Sequence, residues 1–275
     1  MKLPLTIIAL LSIVVFASCS ANNNDKENII AQIEQQHKWD TLIAIQDCQQ
    51  QMPAELFAGQ NDELLNEILP DGYADASINV FLLKGEKNIV LFDAGLGESR
   101  HGQTISKLDS LGITPEQITD ICITHFHGDH IGGLLDTNGK AVFPKAKIYF
   151  SKTEYEAWTT GPLQEQNQSV NAMLEAYNNR CVIFEAGDTI IDGIVTIAAP
   201  GHTPGHTMYD TGDAIIAGDL IHAVALQVEH PEFCAKYDFE PNLATETRKS
   251  VLEIARTTHK PLAGMHFPAP YTLKF

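Results

Sequence analysis

The segment Thr124-His125-Phe126-His127-Gly128-Asp129-His130 places four side chains able to bind a metal within six residues. It follows Ile121-Cys122-Ile123, an apolar run of the kind that forms a buried strand. A strand end followed by a tight loop lets His125 and His127 converge on one ion and turns Asp129 and His130 toward a second. Gly128, Gly132 and Gly133 permit the sharp backbone path this requires. Imidazole suits zinc, and carboxylate oxygen widens the choice to manganese, iron or cobalt. A lone loop histidine is most often just exposed, but an H-x-H-x-D-H cluster is rare by chance.

Four further pieces follow the same plan, a polar residue at a strand end or in a glycine turn. They are Asp93 in Phe92-Asp93-Ala94-Gly95, His202 in Pro200-Gly201-His202-Thr203-Pro204-Gly205-His206, Asp219 in Ala217-Gly218-Asp219, and His266 in Gly264-Met265-His266. Singly each reads as a turn residue. Together, in this order, they are specific.

The elements that must position these residues are mostly short. Ile78–Leu83 and Asn88–Asp93 are β-rich and separated by Gly85-Glu86-Lys87, a hairpin signal. Thr104–Leu111 reads as a helix stopped by Gly112, and Thr114-Pro115-Glu116-Gln117 as a capped helix start. A strand is expected at Lys147–Phe150, and helices at Ile29–Gln36, Lys152–Trp158, Ser169–Asn178 and Thr245–Thr257. Several short strands are expected from Cys181 to Gly218, and a last one at Pro261–Met265. The rest of residues 29–75 carries no clear signal. Strands dominate, which predicts two layers of sheet with helices outside.

With these motifs the chain resembles the metallo-β-lactamase superfamily over roughly residues 75 to 270. The resemblance implies an α/β fold, a four-layer αβ/βα sandwich with a metal site at one edge between the sheets. Carried over by position, His125, His127 and His202 hold a first metal, Asp129, His130 and His266 hold a second, and Asp219 bridges both. Asp93 stands behind the site and orients a ligand histidine. Seven ligands exceed the roughly four that one zinc takes. They suit two divalent ions, zinc foremost, about 3.5–4 Å apart, a pairing that activates water and polarises an attacked carbonyl or phosphoryl oxygen. Asp129 is placed to orient that water or shuttle its proton.

Asp219 argues against β-lactamases proper, which lack a bridging Asp there. Glyoxalase II shares the motif, but its substrate is anionic and no basic cluster stands in the C-terminal part to receive it. Persulfide dioxygenases use a single iron. Gly218 to Pro241 looks like the branch of methyl parathion hydrolase and the quorum-quenching acyl-homoserine lactonases. There a tyrosine three residues after the bridging Asp assists the substrate carbonyl. Here that position is His222, read equally as a hydrogen-bond donor to a developing oxyanion or as a supporting residue. His206 reads as structural, holding the Pro204-Gly205 turn. Residues 153–180 and 222–243 are the expected substrate-contacting loops, with Tyr155, Trp158, Tyr177, Phe233 and Tyr237 as candidate pocket aromatics.

The bulk numbers bound the partners. With 18 Lys+Arg against 35 Asp+Glu, a net charge of −17 disfavours nucleic acid and the RNA-processing members. A hydrophobic share of 44% in 275 residues can bury a full core. Lys2, the apolar run Leu5–Phe16 and the small residues Ala17-Ser18 before Cys19 form a secretory signal, residues 1–19, that resembles the lipobox of bacterial lipoproteins. Residues 20–28 then form a polar tether and residues 29–275 a single hydrolase domain. The remaining Cys48, Cys122, Cys181 and Cys234 form no metal-binding spacing, and Cys122 sits in an apolar run as a small hydrophobe. The resulting expectation is a dinuclear hydrolase of lactones or related esters, lipid-anchored through Cys19 at the cell envelope. The alternatives are phosphotriester or β-lactam hydrolysis, or a non-catalytic binding lipoprotein.

Overall fold

β-Branched and aromatic runs separated by Gly, Pro and Asp turns build two six-stranded sheets in the computed structural model, which describes residues 41–275. The signal segment with Cys19, the tether and the expected helix at 29–36 lie outside the described residues. The first sheet has the order β1 (Thr41–Pro53), β2 (Tyr73–Lys84), β3 (Ile89–Phe92), β4 (Asp120–Cys122), β5 (Lys147–Ser151) and β6 (Cys181–Phe184). Its first three strands are antiparallel neighbours, and β3 to β6 are parallel. The second sheet runs β12 (Thr272–Leu273), β11 (Leu262–Gly264), β10 (Ile215–Gly218), β9 (Thr207–Asp210), β8 (Ile194–Ala198) and β7 (Thr189–Ile190). Only β10 and β11 pair in parallel there.

The period-2 pattern of β2 shows how the layers form. Phe81 and Leu83 face the second sheet and pack with Phe92, Cys122, Tyr209, Ile216, Ala263 and Met265 in a core between the sheets. Val80 and Leu82 face outward and pack with Leu91, Ile121 and Ile148 against the helices α2 (Thr104–Ser110), α4 (Lys152–Thr159) and α5 (Gln168–Ala176). On the far side, Met208, Ile215 and Ala217 pack against Val251, Leu252 and Ala255 of α7 (Pro241–Thr258). The order helix, sheet, sheet, helix is the expected four-layer αβ/βα sandwich. Each fully buried Phe, Leu or Ile in these layers is worth roughly 1.5–3 kcal/mol.

The β2–β3 hairpin pairs Phe81 with Phe92 and Lys84 with Ile89. The capping box is present, with Gln117 Oε1 accepting from the Thr114 amide at 2.8 Å. The helix α7 starts earlier than expected, at Pro241, where a missing N–H costs nothing. The unread region before residue 75 contains β1, a 13-residue edge strand, and a helix α1 (Asp62–Ile68). Two single-turn helices complete the set, α3 (Gly128–Ile131) and α6 (Val224–Gln227). Cys48, Cys122, Cys181 and Cys234 are free thiols, and Cys122 is fully buried. No described helix is long and apolar enough to cross a membrane.

Candidate metal centre

Strand ends deliver the chemistry. His125 and His127 follow β4, and Asp129 and His130 sit on α3, which continues that loop. His202 lies in the β8–β9 loop, Asp219 follows β10, and His266 follows β11. All but His202 follow the carboxyl ends of parallel-paired strands, where open α/β sheets form their crevices, and His202 follows the antiparallel β8. The sharp path after β4 depends on contact with the loop after β3. A Cβ on Gly133 would lie 2.0 Å from the carbonyl oxygen of Ala94, so only glycine fits.

All seven expected ligands converge. The ring nitrogens His125 Nε2, His127 Nδ1 and His202 Nε2 form a triangle with edges of 2.9, 2.9 and 3.1 Å. That approaches the edge of about 3.3 Å in a tetrahedron with zinc–nitrogen bonds of 2.0–2.1 Å. Asp129, His130 and His266 form a second group, with His130 Nε2 and His266 Nε2 at 3.8 and 3.6 Å from the Asp129 carboxylate. The Asp219 carboxylate lies between the two groups. Its Oδ1 is 3.1 Å from His130 Nε2, and its Oδ2 is 3.2 Å from His202 Nε2 and 3.1 Å from His266 Nε2. His125, His130, His202, Asp219 and His266 are buried, whereas His127 and Asp129 are half-buried and face the opening.

The side chains behind the site fix which nitrogen each histidine presents. Asp93 Oδ2 takes the Nδ1–H of His130 at 2.6 Å, while its two oxygens accept the Thr124 amide and hydroxyl at 2.8 Å each. Asp238 Oδ1 takes the Nδ1–H of His202 at 2.8 Å. The Ser77 carbonyl takes that of His266 at 3.0 Å. Each arrangement leaves Nε2 as a lone pair aimed inward. His130 Nε2 and Asp219 Oδ1 then face each other as two acceptors, and both are buried with no hydrogen-bond partner. A cation between them resolves that conflict, so the residues present fit divalent metal.

His206 is no ligand. Its Nδ1 bonds the Ala199 carbonyl at 3.0 Å and its Nε2 accepts the Asp219 amide at 2.9 Å, so it holds the bridging residue as well as its own turn. His222 is fully buried beside the ligands, with Nε2 3.2 Å from Asp219 Oδ2. Burial pushes its ring down to about 4, against the pull of Asp219, so it is neutral at neutral pH. Of the five candidate pocket aromatics, two reach the site. Trp158 lies 5.8 Å edge-on to His127, and Tyr237 lies 4.9 Å from His222 with 39% of its surface exposed. Tyr177 and Phe233 are instead core residues, and Tyr155 stacks on Phe150. Sequence reasoning did not find Asp238, whose partner His202 is distant along the chain.

The matching of known proteins agrees with this geometry. The sequence profile of the metallo-beta-lactamase superfamily matches residues 74–266, and the chain belongs to that superfamily. It is a metal-dependent hydrolase of that class. An N-acyl homoserine lactonase of Bacillus thuringiensis is 25% identical over 203 residues, covering 64% of this chain and 75% of its own. The solved structure of AidC, a dizinc quorum-quenching lactonase in complex with a product, is 28% identical with a TM-score of 0.76, covering 87% of this chain and 93% of its own. The hydrolase AbOPH is 29% identical, with a TM-score of 0.76 over 85% and 89% of the two chains.

Proposed function

We propose that the chain is a dinuclear metal-dependent hydrolase of lactones or related carboxylic esters, exported and held at the cell envelope by lipid on Cys19. The observation that carries the dinuclear reading is Asp219, whose two oxygens each stand within 3.2 Å of a different ligand group. His125, His127 and His202 would hold one ion, Asp129, His130 and His266 the other, with Asp219 shared. Zinc is favoured by the five imidazoles among the ligands. Bound there, the pair would supply Lewis acidity and lower the pKa of water to near neutrality.

The protein's own groups divide the remaining work. Asp129 is half-buried at the opening, where its carboxylate can take a proton from the attacking water and return it to the leaving oxygen. His222 is neutral with Nε2 3.2 Å from Asp219 Oδ2, and a swing of that N–H from the carboxylate toward the substrate would let it donate to the oxyanion that forms as the carbonyl is attacked. Tyr237, exposed beside His222, offers apolar surface suited to an acyl chain, and the buried Trp158 packs behind His127. The lactone and ester preference is supported by the lactonases named above and by the exposed Tyr237 ring.

The test is a side-by-side assay of acyl-homoserine lactones, aryl esters, a phosphotriester and a cephalosporin on protein lacking residues 1–19. Lactone or ester turnover well above the others is expected. Turnover confined to the phosphotriester or the cephalosporin would replace the substrate class, and no turnover with metal bound would favour a binding protein. For the anchor, Cys19→Ala should move the full-length protein from the membrane to the soluble fraction. An unchanged membrane fraction would overturn it.

A further inference from the structure

The three-histidine half of the centre is assembled from two sheets. His125 and His127 come from the loop after β4, and His202 from the β8–β9 loop of the other sheet. A single buried carboxylate joins these loops beside the ligands. Glu154, only 1% exposed, lies in the first turn of α4. Its Oε1 accepts from the amide of Phe126 at 2.9 Å, the residue between His125 and His127. The same oxygen accepts from Trp158 Nε1 at 2.8 Å, and the Trp158 ring packs edge-on to His127. Its Oε2 accepts from the Thr203 hydroxyl at 2.7 Å and the Gly205 amide at 3.0 Å, both just after His202.

Four donors on one carboxylate occupy its four lone-pair sites. The approach is as close as the backbone allows, because a Cβ on Gly205 would lie 2.0 Å from the Glu154 nitrogen. Ser151, which caps α4 by accepting from the Glu154 amide at 3.1 Å, donates its hydroxyl to the Gly205 carbonyl at 2.8 Å. A backbone bond from Thr207 to the Thr124 carbonyl joins the same loops at their base. Glu154 joins them next to the ligand nitrogens, where a small rotation of one loop moves His202 against His125.

We propose that Glu154 is the positioning residue of the three-histidine half, clamping the His125/His127 loop to the His202 loop and so setting how tightly that half holds its metal. This rests on the dinuclear reading above. Glu154 itself contacts neither metal nor substrate.

The test is Glu154→Gln, which keeps the size and replaces one acceptor by an amide donor. The Phe126 amide and Trp158 Nε1–H can only donate, so the new amide oxygen must stay with them. The amide nitrogen then faces Gly205, whose N–H loses its partner, and Thr203, whose hydroxyl can turn to accept. The His202 loop is released while the other is held. Zinc affinities of the two sites are read by chelator competition, and cobalt(II) absorption reports the ligand geometry. One site should weaken ten- to a hundredfold, the usual loss when a residue supporting a ligand is changed, with altered cobalt absorption and the other site unchanged. Thr203→Val should give a smaller loss in the same site, and it decides the matter if Glu154→Gln does not fold. Wild-type affinity and spectrum in the folded variants would overturn the role of Glu154 and leave the dinuclear reading standing. A wild-type protein that takes up fewer than two ions would overturn that reading and this proposal with it.

Discussion

Replacing Asp93 by Asn isolates the effect of one proton on the second metal group. Asp93 has a φ of 62°, a left-handed conformation that Asn also tolerates, so the backbone has no reason to move. The Asn oxygen can keep the bond from the Thr124 amide, now 2.8 Å from Oδ1. The new amide nitrogen then replaces Oδ2, which receives the Thr124 hydroxyl at 2.8 Å and His130 Nδ1–H at 2.6 Å. The hydroxyl can turn and accept. His130 Nδ1 cannot keep its proton against another N–H donor, so the proton moves to Nε2, the atom that faces Asp219 Oδ1 at 3.1 Å. A ligand lone pair is lost while the fold is kept. Residues of this kind are worth ten- to a hundredfold in metal affinity or activity, or about 1.4–2.7 kcal/mol. Chelator competition should show that loss in the Asp129/His130/His266 group, with kcat/KM falling in parallel. An Asn variant with both metals at wild-type affinity and full turnover would refute the tautomer argument.

Gly133→Ala drives a methyl to within 2.0 Å of the Ala94 carbonyl oxygen, a backbone atom that cannot yield cheaply. It should lower Tm by roughly 2–12 °C, or prevent folding, in line with overpacking costs of about 1–3 kcal/mol or more. A Tm within a degree of wild type would contradict the close approach. Burial pushes His206 down to about 3. Unfolding lets the ring take up a proton, so His206 contributes stability fully above its ordinary value of about 6.5 and loses it as pH falls toward 3. At about 1.4 kcal/mol per tenfold in proton affinity this is on the order of 4–5 kcal/mol. Denaturant unfolding across that window should show the decline, and a flat profile would contradict it.

The seven residues that converge at the centre were legible in the sequence because each lies in a short motif at or near a strand end, where apolar run and polar residue are neighbours. The β2–β3 hairpin and the Thr114 capping box were legible for the same local reason. β1 was not. Its sequence TLIAIQDCQQQMP shows no period-2 alternation, only the short apolar run Leu42 to Ile45, and a bulge between Gln46 and Cys48 then shifts the register. Asp47, at that bulge, is fully buried and accepts from the Leu96 and Thr104 amides, a role no periodicity reveals. Asp238 and Glu154 were missed because their partners stand 28 to 51 residues away along the chain. The aromatics show the same limit. Tyr177 and Tyr237 are alike in type, yet packing buries one in the core and leaves the other at the opening.

The central claim is that Asp219 makes one centre out of two metal groups, and metal stoichiometry measured with turnover tests it most directly. Wild-type protein lacking residues 1–19 should bind about two divalent ions per chain and hydrolyse a lactone or ester. Asp219→Ala, which removes the carboxylate between the groups, should bind at most one ion tightly and lose hydrolysis. Full activity in that variant with a single bound ion would contradict the dinuclear account.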